Sequence, residues 1–385
     1  MARQLTLYLV LIMLVASGMT SQPSSAQSDT SLRHLASATG RYLGAAVKPE
    51  LLQTDEAYRQ TLLNEFNLVV TEDALKMAAL RPTQGEYSFY GSDAVISFAQ
   101  ANGLAVRGHV LLWHDSVPAW LSAGNFTREE IMTILHDHIT TVVSRYRGVI
   151  FAWDVVNEAF NEDGTLRDSF FLRTIGPEYI EYAFQWAAAA DPNALLFYND
   201  YSIEDGNPKS DAVFALLSSL RARGIPVHGV GFQSHLQLIY PPNYDSMTVN
   251  MQRFAAVGLQ IHLTELDVRI QGIDLPTEQL LIEQAEVYRI MTRLCLQTLA
   301  CTAMITWGVG DRYSWIYEYT GHPDAPLMFD NDFQPKPAYF VMWETLAAAV
   351  QQTPVFPEDG EPGVTGAIPL ISPPQPLTSP SVPGQ

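Results

Sequence analysis

Cysteine and basic residues are the two scarcities of this 385-residue chain. Its 2 cysteines, Cys295 and Cys301, are too few for a disulfide-built miniature fold. No second Cys or His pair stands near them at metal-ligand spacing, so no metal centre is expected. Lys and Arg number 22 against 41 Asp and Glu, a formal net charge of −19. A field of that sign repels nucleic acids and anionic membranes, and neither is expected as a partner. No glycine-rich phosphate loop of either standard pattern follows an apolar run, which sets aside dinucleotide and nucleoside-triphosphate chemistry. Beyond the first 26 residues no apolar run is long enough to cross a bilayer. No organic cofactor is expected.

What is present is a leader, a large α/β body and a proline-rich tail. Residues 1–26 have the plan of a secretory signal: Arg3, an apolar stretch from Leu5 to Val15, and small Ser24-Ser25-Ala26 where cleavage is expected. That plan predicts a secreted protein. Residues 27–39 begin Ser/Thr-rich and are expected to be loosely ordered. Residues 352–385 are dense in proline, including Pro354, Pro357, Pro373, Pro374 and Pro376, and read as an extended, disordered tail. The body, 40–351, draws on a composition that is 47% hydrophobic, ample for one large core.

Within it, short apolar runs alternate with helix-like stretches. Eight strands are expected at 42–46, 68–71, 105–109, 150–156, 195–198, 228–232, 260–264 and 303–306. Helices are expected at 127–145, opened by a Thr127…Glu130 capping box, and at 277–296, just after Pro276. Eight strands with intervening helices predict a closed (β/α)8 TIM barrel, a single domain of α/β class. Cys295 and Cys301, six residues apart, either staple the end of the second helix to the next strand or form a reduced buried pair.

Two of the eight runs end on a glutamate: Trp153-Asp154-Val155-Val156-Asn157-Glu158 and Ile261-His262-Leu263-Thr264-Glu265-Leu266-Asp267. Strand ends are where a parallel barrel opens its active site. Two carboxyl groups in different surroundings, facing one pocket, are the minimum equipment for cleaving a glycosidic bond.

These two runs resemble the signatures of glycoside hydrolase family 10, the retaining endo-β-1,4-xylanases. Further matching stretches follow in order: Gly108-His109, Leu112-Trp113-His114, Asn199-Asp200-Tyr201, Gly229-Val230-Gly231-Phe232-Gln233-Ser234-His235, Trp307-Gly308-Val309, Ser314-Trp315 and Lys336-Pro337-Ala338-Tyr339. The resemblance implies that Glu158 is the general acid/base and Glu265 the nucleophile. Glu158 must start protonated and Glu265 ionised. His235 is implied to bond Glu265 and to be oriented by Asp267, Asn157 to bond the sugar 2-hydroxyl, and Gln233 and Asn199 to hold Glu158 and its network. Lys76 and His109 are implied to contact glycone sugars, with Trp113, Trp307 and Trp315 offering stacking faces.

The resemblance departs around Glu72-Asp73. Asp73 stands where Asn is usual, Met77 where Trp is usual and Ser116 where Gln is usual, all read as lining distant glycone subsites. The expected partner is therefore xylan or a related β-1,4-linked plant polysaccharide, acted on by a monomer. A β-1,4-glucanase with the same mechanism is the nearest rival, and a non-catalytic polysaccharide-binding protein is the rival of another class.

Overall fold

The computed structural model describes residues 30–274 and 277–352. The expected leader and the tail from residue 353 onward lie outside them. Eight parallel strands form the frame: β1 Tyr42–Val47, β2 Leu68–Thr71, β3 Ala105–Gly108, β4 Ile150–Asn157, β5 Leu195–Asp200, β6 Gly229–Phe232, β7 Gln260–Arg269 and β8 Cys301–Thr306. Each pairs with its sequence neighbour, and β8 pairs with both β7 and β1, opposing Ala303 to Tyr42 and Met304 to Leu43. The sheet is thus a closed barrel. All eight lie at the expected places, because strands covered on both faces read as continuous apolar runs.

The barrel interior is layered. A small apolar cluster of Ala46, Leu68, Val70, Ala303 and Ile305 fills part of it, with Trp307 above. A much larger cluster lies outside, between strands and helices. The helix Arg128–Arg145 opens on Thr127, whose side chain accepts from the Glu130 N–H while the Glu130 carboxylate accepts from the Thr127 N–H, both halves of the expected box. The helix Thr277–Gln297 leads into β8, and Cys295 and Cys301 are disulfide-bonded with their Cα atoms 5.1 Å apart. Among the described residues no helix is long and apolar enough to cross a membrane.

The loosely ordered segment expected at 27–39 is not what the structure shows over its second half. Leu32–Ala38 form a helix capped by the Ser31 hydroxyl, which accepts from the His34 N–H, and Leu32, Leu35 and Ala36 are buried. The Leu32 N–H also donates to the Glu65 carboxylate at 3.0 Å. Seven residues are too few to show a helical period in the sequence, so tertiary burial decides the conformation.

Candidate active site

Glu158 directly follows β4 and adopts a left-handed conformation, with φ of 56°. A non-glycine residue is held there only when its surroundings over-determine it. Glu265 differs from expectation. The sequence pattern ends its strand at this residue, but β7 runs on to Arg269 because a short strand, His235–Gln237, pairs with that extension and opposes His235 to Asp267. This pairing assembles one half of the site.

In that half, Glu265 is almost wholly buried and both of its oxygens are engaged. Asn199 Nδ2 donates to Oε1 at 2.7 Å, and His235 Nε2 lies 3.2 Å from Oε2. His235 Nδ1 lies 2.9 Å from Asp267 Oδ2, which also accepts from Trp315 Nε1 at 2.8 Å. Burial alone would push the His235 pKa down, but Asp267 beside it and hydrogen bonds to both carboxylates hold it well above the usual histidine value. The imidazolium so maintained donates to both carboxylates. For Glu265, burial favours the neutral acid, yet the His235 hydrogen bond and the nearby His109 and His235 leave the carboxyl below its ordinary pKa. Glu265 is built to be an anion.

The other half holds Glu158 with neutral donors. Its Oε1 accepts from Gln233 Nε2 and from Asn157 Nδ2, each at 2.9 Å, and its Oε2 accepts from Trp113 Nε1 at 2.8 Å. His114 Nδ1 approaches to 4.0 Å, and burial holds that imidazole below its ordinary pKa against the pull of Glu158. The two halves share one network. Asn157 Oδ1 accepts from Asn199 at 2.9 Å and from Gln233 at 3.3 Å. With its oxygen so occupied, Asn157 faces the pocket only as a donor, and one N–H remains beyond that given to Glu158.

Asn199 touches both halves of the network. Its side chain holds Glu265, while its main-chain carbonyl accepts from the Glu158 N–H at 2.9 Å. Thr264 Oγ1 donates to Asn199 Oδ1 at 2.7 Å and fixes which end of the amide faces Glu265. Gly231 makes room for this contact, since a Cβ there would lie 2.1 Å from Asn199 Oδ1.

Of the three expected indoles, Trp113 and Trp315 are hydrogen-bond donors to carboxylates of the site, Glu158 and Asp267. Trp307 is 7% exposed and stands edge-on to His109, with centroids 5.1 Å apart. His109 is 2% exposed, and its Nδ1 lies 2.9 Å from Asp154 Oδ2. Lys76 Nζ pairs with Asp73 Oδ1 at 2.5 Å and lies 4.8 Å from the Trp113 ring centroid, so the unusual Asp73 has a use as the anchor of that lysine. Glu72 is buried against Lys48 at 3.4 Å, and burial pushes its pKa up to about 7 although Lys48 opposes this. Met77 and Ser116 do not line the cleft. Met77 joins the main core as it opens the helix Met77–Leu80, and the buried Ser116 hydroxyl accepts from the Ala78 N–H at 3.3 Å.

The sequence patterns did not single out the charged layer beneath the site. Arg107 is fully buried and makes a two-pronged ion pair with Asp154, whose carboxyl stays ionised because Arg107 and His109 outweigh its burial. Arg107 Nε donates to His262 Nδ1 at 3.3 Å, and burial beside this cation keeps His262 neutral. Its proton therefore sits on Nε2 and is donated to Thr302 Oγ1 at 3.0 Å. The available clue was inward placement on β3, β4 and β7, but pairing 47 residues apart is not a sequence pattern. Recesses open on two sides of the barrel mouth. One of about 260 Å³ is lined by Lys48, Arg312, Tyr313 and Tyr317, and one of about 210 Å³ by Glu204, Asn207, His235 and Tyr240. Among the described residues no group of three or more His, Cys, Asp and Glu is arranged to hold a metal ion.

Comparison with known proteins agrees with this fold. Residues 31–345 match the sequence description of glycosyl hydrolase family 10. Endo-1,4-beta-xylanase B of Thermotoga neapolitana is 40% identical over 328 residues, covering 84% of this chain and 94% of that protein. Native xylanase 10B of Thermotoga maritima superposes with a TM-score of 0.81 at 41% identity, covering 84% of this chain and 99% of that one. Xylanase 10B of Thermotoga petrophila, solved in complex with xylobiose, gives 0.81 at 40%, covering 83% and 98%. A family match over most of the chain, relatives at this identity and a closed barrel with two glutamates tied into one network at its mouth lead to one conclusion: the chain belongs to glycosyl hydrolase family 10.

Proposed function

We propose that this protein is an endo-β-1,4-xylanase that cleaves xylan with retention of anomeric configuration. The observation that carries the reading is the asymmetry of the two glutamates within one network: Glu265 bonded to an imidazolium, Glu158 to neutral donors only. Glu265 Oε attacks the anomeric carbon as Glu158 gives its proton to the departing glycosidic oxygen. A covalent glycosyl-enzyme forms and the aglycone leaves. Water then attacks the same carbon, Glu158 takes its proton, and Glu265 departs as the free carboxylate. Asn157, with one N–H left for the pocket, donates to the 2-hydroxyl as positive charge grows on the ring. Trp307 and Trp315 bound the glycone sugars, with Lys76 and His109 as their polar contacts.

Xylan is supported as substrate by relatives named as endo-1,4-beta-xylanases and by a neighbour solved with xylobiose. Recesses among the loops after β1 and β8 and after β5 and β6 suit a chain lying across the barrel mouth, as endo cleavage requires. Export is the reading of residues 1–26, and N-terminal sequencing of protein from culture medium tests it. The test of function is a product time course on xylan and on mixed-linkage β-glucan, with proton NMR of the first-formed anomer. Mixed xylo-oligosaccharides released as β-anomers are expected. First-formed α-anomers overturn retention, dominant glucan cleavage transfers the substrate, and silence on both polymers removes the catalytic reading.

A further inference from the structure

The left-handed kink at Glu158 needs restraints, and one residue outside the family motifs supplies three of them. Three consecutive carbonyls follow β4, and Arg167 takes all three. Its Nε donates to Glu158 O at 3.0 Å, its main-chain N–H to Ala159 O at 2.8 Å, and its Nη2 to Phe160 O at 3.1 Å. Nη2 also donates to the Tyr201 hydroxyl at 2.9 Å. A planar guanidinium with donors in a fixed fork is suited to such a task, whereas an ammonium offers a single point.

The kink is braced from β5 as well. The Ala159 N–H donates to the Tyr198 hydroxyl at 2.9 Å, which in turn donates to Asp200 Oδ2 at 2.6 Å. Asp200 pairs with the fully buried Lys209 at 3.0 Å, and Lys209 lies 3.3 Å from the centroid of the Tyr201 ring. A closed circuit, Arg167–Tyr201–Lys209–Asp200–Tyr198–Ala159, thus surrounds one strained residue. No comparable clamp is needed at Glu265, which lies within a strand.

We infer that Arg167 is a positioning residue for leaving-group protonation. By clamping the carbonyls of Glu158 and Phe160, its side chain holds the backbone of Glu158 so that its carboxyl meets the glycosidic oxygen. Arg167 touches neither carboxyl group and no reacting atom. The inference rests on the proposed acid/base role of Glu158.

Leaving-group dependence separates positioning from a structural role, because acid assistance matters for a sugar leaving group and little for a dinitrophenolate. In the full chain, Arg167→Met and Arg167→Lys are compared with wild type and with Glu158→Ala. kcat/KM is measured on xylopentaose and on 2,4-dinitrophenyl β-xylobioside. Rates are normalised to active sites titrated with a 2-deoxy-2-fluoro xylobioside carrying the same dinitrophenyl group, so a misfolded fraction drops out.

Arg167→Met is expected to lose about 10- to 100-fold on xylopentaose, part of the 10²–10⁴ that a positioned acid supplies, and less than about 3-fold on the activated substrate. Arg167→Lys is expected to show a smaller split of the same sign. Equal losses on both substrates, or no loss on either, in both Arg167 variants overturn the inference. A Glu158→Ala enzyme that shows no split instead removes the acid/base reading beneath it, so the two failures are distinguishable.

Discussion

The two halves of the site hold the same functional group in opposite ways. Around Glu265 the contacts include a cation and are rooted in strands: His235 and Asn199 touch the carboxyl, Asp267 lies behind His235, and only 6% of the Glu265 side chain is exposed. Around Glu158 the touching donors are an indole and two amides, 12% of the side chain is exposed, and the residue sits on a kink clamped from behind. One carboxyl is held in a fixed charge state. The other is held in place with no counter-charge in contact, which suits the acid/base role proposed for it.

Losing the charged half should cost most. Glu265→Ala is expected to reduce turnover by roughly 10⁴-fold or more on natural and activated xylosides alike, since no nucleophile remains. Near-wild-type rates on either substrate class would end that assignment. Glu158→Ala should separate the substrates: about 10²–10⁴-fold lower kcat/KM on xylan, with glycosylation by a dinitrophenyl xyloside spared. Equal losses would merge the two halves into one function and break the comparison.

His235→Asn sharpens it through pH. The His235 hydrogen bond is the chief influence holding Glu265 down against burial, so removing it raises the Glu265 pKa. At a given acidic pH less of the nucleophile is then ionised. The acid limb of the kcat/KM profile should move to higher pH, with a loss of about 10- to 100-fold near neutrality. An unmoved limb refutes the imidazolium account. The smallest effect is expected far from both halves. Cys295→Ser with Cys301→Ser should cost about 2 kcal/mol of stability, the loop-closure value for so short a ring, and leave activity at ambient temperature unchanged. Calorimetry and a standard xylan assay read the two quantities.

Much of this was legible beforehand, for identifiable reasons. The eight strands announced themselves because each is covered on both faces, and the Thr127…Glu130 box because a capping box is local chemistry. The carboxyl pair was legible as two hydrophobic runs ending on acids. Other features were hidden because they depend on contacts between distant segments. The helix Leu32–Ala38 is too short to declare itself and is held by burial and by Glu65. The family pattern puts Met77 and Ser116 in the cleft, whereas both are buried in the interior. The extension of β7 past Glu265 exists because residues 235–237 arrive to pair with it.

By itself the sequence determined the barrel, the two glutamates at strand ends and the one pair of cysteines that could bond. Those follow from apolar periodicity, from residue type at strand ends and from the presence of 2 cysteines. The tertiary structure alone decided which carboxyl stands beside a cation, which end of each amide faces the pocket, and that Arg167 closes on the backbone of Glu158. Charge state, amide orientation and backbone strain are set by distances between groups tens of residues apart. Such distances exist only once the chain has closed on itself.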